Sequence, residues 1–154
     1  MNTHEQFFKE TYIPTLLKLS GNEVGAWGVL SPQGMIEHMT DSIGIAHGRI
    51  KQELQTPEPL LEKARSFALS DKEFKPNTKN SLMSDAPAAL RNYSISEAII
   101  ELENEIKDFL DFYKTNPDKK VLNPFFGEFN YEEWLHLLHK HAVHHLKQFN
   151  LIKE

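Results

Sequence analysis

The sequence predicts an all-α fold, a four-helix bundle with one long connection between its second and third helices. Four segments carry apolar residues at helical spacing behind recognisable helix starts. No segment alternates apolar and polar residues as a half-buried strand would. The second and third helical segments are separated by roughly forty residues, far more than a bundle turn needs. Amphipathic helices joined this way bury their apolar stripes against one another. At 154 residues, the chain suits one domain spanning 1–154.

The first helix lies within Thr3 to Ser20, with Phe7, Phe8, Ile13, Leu16 and Leu17 as apolar positions. Pro14 conflicts with an unbroken helix, because it lacks a backbone donor and its ring crowds the preceding turn. A kink is expected, or a helix proper that starts near Ile13, with Gly21 as its end. The second helix starts at Ser31, a good N-cap, with Pro32 at the first helical position. It is expected to reach about Lys51, weakened by Gly34, Gly44 and Gly48.

Thr56-Pro57-Glu58 opens a short helix carrying Leu60, Leu61, Ala64 and Phe67, and Ser70 to Asn92 reads as loop. That loop is either a partial cover over a site or a plain connection. The third helix begins at Ser94, where Glu97 supplies a capping box, and runs through Ala98, Ile99, Leu102, Ile106, Phe109, Leu110 and Tyr113 to Asn116-Pro117. Its acidic series from Glu97 to Asp111 reads as the wet face. The fourth helix opens at Asn130 with Glu133 at the capping-box position, continues to about Phe149 and ends at Asn150.

Composition narrows function by exclusion. The net charge of −5 and sequence pI near 5.9 give no basic face for a phosphate backbone, so no nucleic-acid partner is expected. With no cysteine, thiolate catalysis, disulfides and iron–sulfur clusters are ruled out, and any metal must be held by His, Asp, Glu, backbone or water. The N-terminal residues lack the order of a signal peptide, and no apolar run suggests a membrane span, so a cytoplasmic protein without a membrane partner is expected. No Gly-rich phosphate loop, P-loop lysine or nucleophile elbow is present.

The unusual feature is histidine: eight in all, five of them between His136 and His145. At about 100° per residue, Trp134, Leu138, His141, Ala142, His145 and Phe149 form one stripe of the last helix. His136, Lys140, His144 and Lys147 fall on the opposite, solvent side, with His139 at the edge. On the second helix Met35, Ile36, Met39, Ile43, Ala46 and Ile50 make the apolar stripe. His38 lies on its border beside Ser42 and Ile45, and His47 projects to the far flank. His141 and His145 are one turn apart and can share an ion, or each can be satisfied by core hydrogen bonds. His38 offers a third imidazole from another helix, and three histidines leaving open positions suit a catalytic divalent metal.

The segments WGVLSPQGMIEHMTDS and KHAVHHLKQF resemble the second and last helices of the DinB-like superfamily. PEPLLEKA, FKPNTKN and NPFFGEFNYEEWLHLLHKHAVHHLKQF resemble a branch of it without an assigned activity. The resemblance covers most of the chain and implies a DinB-like four-helix bundle in up-down-down-up order. It also implies a three-His divalent metal site at His38, His141 and His145, with zinc or nickel as the metal. Some members of the superfamily are transferases or isomerases that use a cellular thiol such as bacillithiol or mycothiol, which makes a thiol the implied small-molecule partner. Related bundles pair through helix faces, so a homodimer is expected.

Three neutral imidazoles leave a divalent ion its full charge, enough to bring a bound water toward a pKa of about 7 or to deprotonate a thiol. Thiol transfer and metal-dependent hydrolysis are therefore the two enzymatic readings, beside a non-catalytic bundle whose histidines only fill its core. The H-E-x-x-H arrangement with its glutamate base is absent. Glu37 and Asp41 point off the His38 face as solvated or supporting groups. Gln148 lies on the His141 side and either orients a ligand or simply packs. Arg49 either snorkels at the surface or contacts an anion. Trp27 and Trp134 read as core or rim aromatics, while Tyr12, Tyr93, Tyr113 and Tyr131 have no assignable place.

Overall fold

The structure is a computed structural model that describes residues 2–75 and 89–153. Its helices are α1 (Thr3–Gln6), α2 (Tyr12–Leu16), α3 (Pro32–Ala46), α4 (Glu58–Leu69), α5 (Ile95–Thr115) and α6 (Tyr131–Gln148). A π-helical turn, Phe7–Thr11, joins α1 to α2. The irregularity expected at Pro14 takes that form. In a regular helix the Glu10 carbonyl would accept from residue 14, and proline has no N–H to give. The chain widens one turn earlier, and the Tyr12 N–H reaches the Phe7 carbonyl. The helix then ends at Leu16, ahead of the expected stop at Gly21.

Three helix starts follow the sequence signals. Ser31 accepts the Gly34 N–H at 3.0 Å, Ser94 accepts that of Glu97 at 3.2 Å, and Asn130 accepts that of Glu133 at 2.9 Å. Only the last is a complete capping box: Glu133 returns to the Asn130 N–H, whereas Glu97 bonds the N–H of Tyr93. α3 stops at Ala46, short of Lys51. Gly48 takes a φ of +82° that ends the helix, and the Ile50 N–H folds back to the Gly44 carbonyl. At the far end of α6, Asn150 adopts a φ of +58° and the Leu151 N–H returns to Leu146.

One small element carries no signal in the sequence. A two-stranded antiparallel hairpin, β1 (Val121–Asn123) and β2 (Gly127–Phe129), stands between α5 and α6, with Val121 opposite Phe129. Three-residue strands are too short to alternate visibly. The Asn123 side chain builds the turn instead, accepting the N–H groups of Phe125 and Phe126.

The fold is otherwise mostly helical and all-α in class. α3 is the central element, packing on both α5 and α6. Its Met35, Ile36, Met39 and Ile43 are buried with Leu102 and Phe109 of α5 and Leu138 and Ala142 of α6. The Tyr113 hydroxyl donates to the Ala46 carbonyl at 2.7 Å, pinning α5 to the end of α3. α4 lies against α6. The long connection therefore contains a packed helix, as its Thr-Pro-Glu start implies, while residues 76–88 of the expected Ser70–Asn92 loop lie outside the described residues. Among the described residues no helix is long and apolar enough to cross a membrane.

Candidate metal centre

Where α3 crosses α6, three imidazoles meet. His38 Nε2 lies 3.0 Å from His141 Nε2, which lies 3.0 Å from His145 Nε2. A helical rise stacks residues four apart, so His141 and His145 present their rings to the same point from α6 while His38 comes from α3. All three ligand atoms fall within 4.8 Å of one another.

Hydrogen bonding alone does not satisfy this arrangement. A neutral imidazole carries one N–H, and whatever proton serves one of His141's two contacts leaves the other as nitrogen facing nitrogen. A cation between them accepts all three lone pairs at once. Nitrogens sharing a tetrahedral zinc at its usual bond length stand about 3.3 Å apart, close to the two 3.0 Å spacings at His141, and the three nitrogens together lie within 4.8 Å of one another. The donor set fits a divalent ion of borderline softness.

The local field keeps the lone pairs free. Burial lowers His38 to about 4, with Asp41 partly opposing it and His144 reinforcing it. Burial first, and then His38, lowers His145 to about 3, against a bond to Gln148 that raises it. Burial and the neighbouring imidazoles hold His141 well below the usual histidine range. All three are neutral at pH 7, the form that binds metal.

Gln148, assigned from sequence only to the right side of α6, is buried and directly engaged. Its Oε1 faces His145 Nδ1 at 2.8 Å, and its Nε2 donates to the Trp27 carbonyl at 2.8 Å. Trp27 thus contributes through its backbone, which sequence reading missed; its ring rests against His144, with centroids 5.4 Å apart. Phe74 was missed as well: its ring centroid lies 6.1 Å from that of His141.

The outer face of α6 is not solvent. α4 and the residues after it cover it, so His136 donates to the Ser70 carbonyl at 2.8 Å and His144 to that of Phe74 at 3.3 Å. Lys140 is buried and donates to the Phe67 carbonyl at 2.7 Å, its ammonium over the Phe67 ring. These residues do lie away from the α3 face, but α4 supplies a second layer that helical period alone does not reveal. His139 does sit at an edge, against His4 and Phe7.

Neither nearby carboxylate reaches the imidazoles as a base. Glu37 is buried, accepting the backbone N–H groups of Arg91 and Asn92 at 3.0 Å each and the side chains of Gln33 and Asn92 at 3.1 Å each. It anchors the chain entering α5 and is not solvated. Asp41 pairs with Arg91 at 3.1 Å. Arg49 is engaged by a protein carboxylate: its Nε donates to Glu105 Oε1 at 2.5 Å, with the guanidinium laid over Gly44, where a Cβ would meet it at 2.5 Å. Glu105 itself departs from the wet face expected of its helix and is buried. Tyr93 is fully exposed, Tyr131 donates to Glu5, and Tyr12 is enclosed in the core.

No curated protein and no solved structure matches this chain. A family model described as the DinB superfamily matches residues 22–149, a span that contains the Trp27 turn, α3 and α6 with all three converging histidines. The chain belongs to the DinB superfamily.

Proposed function

We propose that this protein is a metal-dependent enzyme in which His38, His141 and His145 hold one divalent ion, zinc or nickel, and in which a small-molecule thiol is the nucleophile of an S-transfer. The observation that carries the metal is His141 Nε2 held 3.0 Å from the Nε2 of both His38 and His145, a pair of contacts that protons cannot satisfy in full. Bound there, the ion supplies positive charge that lowers the pKa of a thiol and stabilises its deprotonated form.

The ordering of the two chemistries rests on the carboxylates. Hydrolysis wants a general base for its water, and Glu37 and Asp41 are committed to Arg91, Asn92 and Gln33. A thiol is acidic enough to pass its proton to solvent without a protein base. Its sulfur then forms a bond to an electrophilic carbon, and the leaving group departs with the electron pair. His38, His141 and His145 fix the charge that favours the first step, and Phe74 places apolar surface beside His141.

Elemental analysis of purified protein tests the metal, with one divalent ion per chain expected in the wild type and none in His141→Ala/His145→Ala. Equal metal in both sinks the site. Metal-loaded protein is expected to accelerate conjugation of a low-molecular-weight thiol to an aryl halide more than it accelerates ester hydrolysis, and the reverse order favours the hydrolase.

A further inference from the structure

Gln148 has two ends with opposite demands, and both are met. Its amide nitrogen donates to the Trp27 carbonyl at 2.8 Å, an atom that can only accept. The amide oxygen is thereby turned to His145 Nδ1 at 2.8 Å and can itself only accept. Rotating the amide would set oxygen against oxygen at Trp27. The proton of His145 therefore sits on Nδ1, and the lone pair of Nε2 points at His141 Nε2.

The turn preceding α3 is shaped around this one side chain. The Ala26 N–H donates to the backbone carbonyl of Gln148 at 2.8 Å, locking the turn to the end of α6. A Cβ on Gly25 would stand 3.1 Å from Gln148 Cγ and 2.9 Å from the Trp27 carbonyl oxygen. Gly28 takes a φ of +77°, and a Cβ there would stand 2.9 Å from Gln148 Nε2. The two glycines let the backbone close on the amide from both sides.

We infer that Gln148 is a positioning residue that sets the tautomer and orientation of His145, and that the Gly25–Gly28 turn exists to hold Gln148 in place. This rests on reading His145 as a metal ligand, and it adds the outer links, from the Trp27 carbonyl through the Gln148 amide to His145. Groups that orient a ligating imidazole in this way tune affinity without touching the ion.

The test uses the full chain. In metal-free wild type, long-range proton–nitrogen NMR, with His145 assigned by its loss in His145→Ala, is expected to show the proton on Nδ1. Gln148→Met, similar in length but without hydrogen-bonding groups, is expected to lose that tautomer. Its zinc affinity should fall roughly 10–100-fold and the visible spectrum of its cobalt form should change. Gln148→Glu keeps an acceptor for His145 but sets a carboxylate oxygen against the Trp27 carbonyl, so it is expected to retain the Nδ1 proton and to bind zinc more tightly than Gln148→Met while losing the Trp27 link. A wild type protonated on Nε2 overturns the inference, with no variant needed. So does a folded Gln148→Met with unchanged tautomer and affinity. If the tautomer follows Gln148 but wild type binds no divalent ion, the positioning role stands and the metal reading fails.

Discussion

His38, midway along α3, and His47, the residue that caps its C-terminal end, meet different partners. His47, at the C-terminal end of α3, donates from Nε2 to Glu105 at 2.8 Å, and Arg49 binds the other oxygen of that carboxylate. Glu105 is 6% exposed, a buried carboxylate whose demands are met by two donors. Among the described residues, His38 has no carboxylate at hydrogen-bonding distance; its Nε2 meets the Nε2 of His141. The first arrangement is complete with protein groups alone. The second becomes complete with a cation, because nitrogen lone pairs converge on one point and burial keeps them unprotonated. A buried histidine is thus informative about function only through what it faces.

The largest difference between the two clusters is expected in metal response. Zinc at a hundredfold excess over its Kd should stabilise wild-type protein by about 2.7 kcal/mol, because it binds the folded chain alone. His38→Ala should abolish that gain, and Glu105→Gln should keep it, both read from the melting temperature with and without zinc. A zinc-induced shift that survives His38→Ala removes His38 from the site.

Acid should separate the clusters next. The folded-state values of His38 and His145, about 4 and about 3, lie below the ordinary histidine value of 6.5. Between those limits the unfolded chain binds more protons than the folded one, so stability rises with pH. The contribution is fully present above pH 6.5 and is lost as pH falls toward 4 and then 3. Each histidine adds a slope of at most about 1.4 kcal/mol per pH unit in its window. Denaturant melts of metal-free protein from pH 7 to 5 should show this fall, and His38→Ala should flatten it. A slope unchanged in the variant would mean that other groups carry the acid sensitivity.

Glu105→Ala is the reciprocal break. It strips the partner from the largely enclosed His47 side chain and should cost about 2 kcal/mol by denaturant melt, while zinc uptake at His38 is retained. Arg49 adds little to that figure, because its side chain is 46% exposed and water replaces the lost contact.

The contrast also shows how far the sequence could be read. Helix starts at Ser31, Ser94 and Asn130 were legible because a cap is a local event, settled within three residues. The inward aim of His141 and His145, and the border place of His38, followed from helical period alone. What period cannot supply is the partner. Glu105 lies 58 residues from His47, and Arg65, whose bonds to Glu128 and Glu133 tie α4 to the hairpin and α6, is 63 and 68 residues away from them. Cover over the outer face of α6 depends on such distant pairings, so His136 and His144 read as wet when they are bonded to backbone carbonyls. The Gln148 amide was seen on its helix but not in its turn, because Gly25 and Gly28 acquire meaning only once the chain has returned to them.

The smallest effect concerns a buried polar atom with neither kind of partner. Tyr12 is 0% exposed, and its hydroxyl has no hydrogen-bond partner among the described residues. It sits where the π-helical turn passes into α2, its ring stacked on Phe7 and edge-on to Phe8, and burial raises the phenol above its ordinary range. Like the Nε2 of His38, the oxygen has lost water; unlike it, it has no polar partner among the described residues that could share a cation with it. Tyr12→Phe removes the oxygen and keeps the ring contacts. It is expected to stabilise the fold by about 1 kcal/mol, a rise in melting temperature of roughly 2–4 °C for a domain of this size, with zinc uptake unchanged. A fall instead would show that the hydroxyl is bonded to an internal water whose removal costs more than the oxygen's burial. A gain would separate the two kinds of unsatisfied group in this core: one deleted at a profit in stability, the other kept because three of its kind point the same way.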